Sequence, residues 1–178
     1  MRNCIDSVNF LVISYRIKHH FNYSFFKIIK TNLKTFLNVI IFMKYKIIED
    51  LTSDVMFEAY GKDKKELFEN AAEALFSVIC DIKKIKPLEE ITVEISAENS
   101  EELLIEWLQH LIALVDIEEM FFSRFEIRQI SNTKLKAVCY GSIAEPESGG
   151  TVVKAITRHK FFLKKNDNGY TARVVCDI

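Results

Sequence analysis

The sequence predicts an α+β fold: a two-layer sandwich with two helices packed on one face of a mixed or antiparallel sheet. Two stretches repeat apolar residues at helical spacing on one side only, and seven others mostly alternate with the period of a strand. Helices with a single apolar face must bury it, and a sheet with one apolar face is the matching surface. The order along the chain is β-β-α-β-α-β-β-β-β.

The first strand candidate is Lys44–Ile48, and a polar loop, Glu49 to Asp54, follows it. Val55–Tyr60 is the second strand, with Val55, Phe57 and Ala59 on one face and Gly61 ending it. Asp63 with Glu66 three residues on is a capping-box pattern with Asp in the Ser/Thr place. The helix it opens runs to about Cys80. Its buried stripe is Leu67, Ala71, Ala74, Leu75, Val78 and Ile79, widened by Phe68, Ala72 and Phe76. Lys83, Lys84 and Pro87 mark a connector.

Ile91, Val93, Ile95 and Ala97 alternate with polar residues in a half-buried strand. Ser100 is the expected cap of the second helix, with Glu101 and Glu102 in its first turn, where the helix dipole favours anions. Leu103, Leu104, Trp107, Leu108, Leu111, Ile112 and Val115 form its core stripe, and Trp107 reads as a packing anchor. Four strands follow: Phe122–Ile130, Lys134–Tyr140, Val153–Lys165 and Tyr170–Cys176. Asn166-Asp167-Asn168-Gly169 turns the last two into a hairpin.

With 178 residues, 49% hydrophobic and 28% charged, the chain has the composition of one ordinary globular domain. The net charge of −1 hides an asymmetry. Residues 1–42 carry six Lys/Arg and one Asp, whereas residues 43–178 carry 18 bases and 24 acids. The acidic body lacks the basic footprint of a general nucleic-acid binder.

Residues 1–42 are rich in Phe, Ile, Asn and Lys and contain no Gly, Pro, Ala or Glu. Their longest uncharged run, Ser7–Tyr15, is shorter than the about 20 residues a membrane helix needs. No small-residue cleavage site follows. This segment is expected to be a misassigned start, with translation beginning at Met43, or else a disordered basic extension. The domain proper is 43–178, and its expected location is cytoplasmic.

Cys4, Cys80, Cys139 and Cys176 show no CxxC spacing, so reduced and mostly buried thiols are expected rather than a disulfide or zinc site. No P-loop, nucleophile elbow or HExxH is present. Glu89 to Glu106 holds seven acids and no base, which reads as a solvated face. Lys154, Arg158, Lys160 and Lys164 would share one side of a regular strand. His159 would lie on the other side with Phe161 and Leu163, partly buried and hydrogen-bonded. The final strand is followed by Asp177 and Ile178, whose side-chain and terminal carboxylates would stand side by side. That pair suits a cation or a protein partner, or is simply a well-ordered strand end with an exposed Asp.

Several segments together carry a family likeness. They are MKYKIIEDLTSDVMFEAYG (Met43–Gly61), LFENAAEALFSVICD (Leu67–Asp81), EELLIEWLQHLIALVD (Glu101–Asp116), FFSRFEI (Phe121–Ile127), VVKAITRH (Val152–His159) and VVCDI (Val174–Ile178). From Met43 onward the chain resembles the archease family. The resemblance implies a non-enzymatic activator of an RtcB-type RNA-splicing ligase, which promotes ligase guanylylation and multiple turnover in tRNA splicing. On this reading tRNA is involved only indirectly. It also implies a divalent cation, Ca²⁺ with Mg²⁺ or Mn²⁺ as alternatives, held by Asp54, Asp177 and Ile178. Lys154 would contact the ligase or its nucleotide, or pair with a carboxylate. The family's loop histidine is replaced by Leu51 and its alanine by Ser53. Carboxylate-only donors are hard and suit such cations better than Zn²⁺. Two other functions compete: a small metal-dependent hydrolase or nuclease acting on RNA or nucleotides, and a chaperone-like scaffold.

Overall fold

The computed structural model describes residues 43–48 and 54–178. The expectations for residues 1–42 and for the loop bearing Leu51 and Ser53 lie outside them. The elements are β1 (Tyr45–Ile48), β2 (Asp54–Gly61), α1 (Lys64–Ile79), β3 (Glu89–Ser96), α2 (Ser100–Glu118), β4 (Met120–Ile130), β5 (Lys134–Ile143), a short 3₁₀ turn (Pro146–Ser148), β6 (Ala155–Asn166) and β7 (Gly169–Asp177). The α+β class and the element order are those expected from the sequence.

The strands divide between two antiparallel sheets rather than joining in one. One has the order β1-β2-β7-β6 and the other β3-β5-β4. The two helices bridge them: α1 packs on β2 and β7 of the first sheet and β4 of the second, and α2 packs on β6, β3 and β4. Two sheets that each present one apolar face to the same helix pair enclose a single core.

Alternation explains which residues enter that core. Phe57 and Ala59 of β2 sit opposite Val174 and Ala172 of β7, and all four are fully buried. Phe76 meets Phe122 edge-on at 5.7 Å and Phe125 at 5.1 Å. Trp107 is fully buried, packs edge-on against Phe125, and donates its indole N–H to the Phe68 carbonyl at 3.2 Å. Buried indoles need such a partner, so Trp107 is the packing anchor expected of it. Val78 and Val115 are only half-buried, because they lie at the edges of their stripes. Asn70 is buried without belonging to the apolar pattern, and its side-chain amide donates to the Tyr60 carbonyl at 2.7 Å.

The cap of α2 is Asn99 and not Ser100. The Asn99 Oδ1 accepts from the backbone N–H of Glu101 and of Glu102, both at 3.0 Å. Asn caps as well as Ser, and the Ser100 hydroxyl is turned toward Asn132 instead. At α1, Asp63 accepts from Glu66 N–H at 2.9 Å as expected, while Glu66 reaches back one residue further, to Lys62 N–H at 2.7 Å.

The regular β6 expected from spacing is interrupted. Thr157 pairs with Val175 and Phe162 with Arg173, so four residues of β6 bulge out opposite one of β7. Lys160 within the bulge adopts φ 53, a left-handed conformation uncommon outside glycine. The bulge shifts the side-chain parity, so Lys154, Arg158, Lys160 and Lys164 do not share a face. Arg158 instead forms a two-pronged ion pair with Glu102 on α2. His159 is exposed within the bulge and not partly buried. Bulges are a usual device for ending pairing on an edge strand.

Among the described residues no helix is long and apolar enough to cross a membrane. Cys80, Cys139 and Cys176 are free and buried, and burial pushes each thiol up to about 12.

Candidate metal centre

The register of β2 on β7 sets Asp54 directly opposite Asp177, and Ala155 of β6 meets Asp177 from the other side. Directly opposed residues of antiparallel strands project from the same face, with Cβ atoms about 5 Å apart. Because Val55, Phe57 and Ala59 face the helices, Asp54, Met56, Glu58 and Tyr60 face away, as do Thr171, Arg173, Val175 and Asp177. The two half-buried carboxylates therefore stand together on the face of the sheet opposite the helices. Neither has an ion-pair partner among the described residues. Like charges directly opposite are destabilising, so this pair is a place where a cation would relieve strain in the fold.

Lys154 and Ile178 flank the pair. The Lys154 backbone N–H donates to the Asp177 carbonyl at 2.8 Å, and its ammonium donates to the Ile178 main-chain oxygen at 2.9 Å. The four residues singled out from the sequence, Asp54, Asp177, Ile178 and Lys154, thus lie at one tip of the first sheet. Cys176 packs beside them on the core side, and after burial the Asp54 carboxylate is the further cause of its raised thiol.

The donor set fits a hard divalent cation. One ion at the usual 2.3–2.6 Å can reach oxygens of two carboxylates whose Cβ atoms are about 5 Å apart. Among the described residues no cluster of three or more His, Cys, Asp or Glu could hold a metal. The protein's side-chain contribution here is therefore two carboxylates, and water or a partner would complete the coordination. Further along the same face, the Thr157 hydroxyl oxygen is buried with no hydrogen-bond partner among the described residues.

A network that sequence reasoning missed borders the site. Glu58 accepts from Arg173 Nε at 3.0 Å and Nη2 at 2.6 Å, and the Tyr60 hydroxyl donates to it at 2.8 Å. Burial works against the Glu58 carboxylate, but these hydrogen bonds and the Arg173 charge outweigh it and hold its pKa below the usual value. Burial and the Glu58 contact push the Tyr60 phenol up to about 12, so it stays a donor. The signal was present in the period-two spacing of Asp54, Glu58 and Tyr60, but only the register reveals Arg173 opposite Glu58.

A model described as the Archease protein family matches residues 45–178. Protein archease of Methanosarcina mazei is 37% identical over 141 residues, covering 76% of this chain and 96% of that protein. Protein archease of Archaeoglobus fulgidus is 39% identical over 140 residues, covering 76% and 100%. The solution structure of Methanobacterium thermoautotrophicum protein 1598 is similar with a TM-score of 0.65 at 32% identity, covering 76% of this chain and 99% of that one. A Thermotoga maritima crystal structure described as an archease and possible chaperone is similar in fold, with a TM-score of 0.56 at 22% identity and coverage of 75% and 97%.

Proposed function

The chain belongs to the archease family, and on that premise we propose that it is a non-enzymatic activator of an RtcB-type RNA-splicing ligase. Its role is to promote ligase guanylylation and repeated turnover in tRNA splicing. The observation that supports this most is the opposition of Asp54 and Asp177 beside Lys154 at one tip of the sheet. Asp54, Asp177 and the Ile178 main-chain oxygen are the ligands of a divalent cation, Ca²⁺ as the family likeness implies, with Mg²⁺ or Mn²⁺ as alternatives of the same hard, oxygen-seeking kind. When bound, the cation neutralises the paired carboxylates and presents open positions to a partner's oxygen groups. Lys154 holds Ile178 in place and supplies a positive charge at the rim, where it meets the ligase or its nucleotide.

Multiple-turnover ligation with purified ligase, GTP and a tRNA-half substrate tests the proposal. The protein is expected to raise the number of ligation rounds per ligase, and Asp54→Asn or Asp177→Asn to reduce that effect at least tenfold. No gain on adding the wild-type protein would overturn it.

Exposed aliphatic side chains, including Leu88 at 73% and Val152 at 76%, favour a chaperone-like second reading. It predicts suppression of aggregation of unrelated proteins, independent of Asp54 and Asp177.

A further inference from the structure

A cleft of about 490 Å³ opens where α1, α2 and β5 end together. Ala144 N–H donates to the Glu119 carbonyl at 2.8 Å, and Gly150 and Thr151 N–H donate to the last carbonyls of α1 at 2.8 and 2.9 Å. These bonds fix the mouth of the cleft. Its wall is apolar at Ile112, Phe121 and Val153, and its charged wall residues, Asp116 and Glu119, are both acidic. Val153 leads directly into Lys154, whose backbone N–H donates to the Asp177 carbonyl, so one wall residue of the cleft adjoins the tip that carries Asp177 and Ile178.

Exposed aliphatic residues occur beside wall residues in the chain and in the wall of the cleft. Val152 is 76% exposed and lines it, while Ile117 and Ile143, each 68% exposed, adjoin wall residues Asp116 and Ala144. An exposed aliphatic residue in the wall of an apolar cleft marks an interaction surface, and a volume of this order accepts a large side chain. The acidic wall selects the sign of what enters.

We propose that this cleft receives an apolar side chain flanked by Lys or Arg on the protein partner served by the Asp54–Asp177 site. The inference rests on the ligase reading above. It assigns docking to the cleft and leaves the cation to the sheet tip, so the two are separable by substitution.

Two variants test it. Ile117→Gln with Val152→Gln removes exposed aliphatic surface, and Asp116→Lys reverses one wall charge. Binding to the purified ligase is measured by calorimetry alongside multiple-turnover ligation, with thermal midpoints as the folding control and Ca²⁺ binding as the control for the tip. Each variant is expected to bind the ligase at least tenfold more weakly, with an unchanged midpoint and unchanged Ca²⁺ binding. Wild-type affinity and activation in both variants would overturn the proposal, and tighter binding by Asp116→Lys would overturn the basic occupant. Self-association of the wild type that the double variant abolishes would assign the cleft to a second copy and overturn the partner. A wild type that never stimulates ligation removes the ligase reading, and this partner with it.

Discussion

Asp54 and Asp177 repel each other across paired strands, and that repulsion makes a prediction independent of any partner. Asp177→Asn should stabilise the cation-free protein by about 0.2–1 kcal/mol, the usual scale of a cross-strand charge pair. Added Ca²⁺ should then raise the thermal midpoint of the wild type but not of the variant, since a ligand stabilises only the fold that binds it. A differential scan with and without Ca²⁺ checks both. Glu58 behaves in the opposite way. Its pKa is lowered in the folded protein, so its contribution to stability is present above the ordinary value of 4.5 and is lost as pH falls through the lowered value. Arg173→Gln should therefore destabilise the protein at pH 7, with a narrower gap to wild type at an acid pH below the ordinary value of 4.5. Denaturant midpoints at the two pH values measure it.

Among the elements, α2 shows most clearly what local pattern conveys and what it does not. Its apolar stripe is legible because eight of its residues are buried at helical spacing. Its first residue is less so, because Asn99 and Ser100 are both competent caps and only the direction of each side chain distinguishes them. Asn99→Ala should cost about 1 kcal/mol of stability, while Ser100→Ala should cost less, a difference that urea unfolding can resolve. The β6 bulge was hidden for a related reason. Alternation assumes regular pairing, and nothing in the sequence from Arg158 to Phe161 signals that Lys160 takes a left-handed conformation. The loop before β6 depends on a glycine for close approach: a Cβ on Gly150 would lie 2.6 Å from the Val78 carbonyl oxygen. Gly150→Val should therefore lower the thermal midpoint by forcing the loop off the end of α1, and with it weaken the placement of Lys154.

At the scale of the molecule, the class and the element order follow from periodicity, because each helix has one apolar face and most strands alternate. The division into two sheets does not. It depends on β7 inserting between β2 and β6 while β5 inserts between β3 and β4, and pairing partners leave no mark in a single alternating strand. The candidate site divides in the same way. Asp54 and Asp177 are visible individually as polar residues at strand ends, and the family likeness names them together. Their opposition across the sheet is a product of register that no local signal encodes. Register is therefore what the site depends on most. Calorimetric titration of Ca²⁺ into metal-stripped protein, comparing the wild type with Asp54→Asn and Asp177→Asn, tests it most directly. One saturable site in the wild type, lost in both variants, is the predicted result. Binding in the variants equal to that of the wild type, or no binding in any of the three, would contradict it.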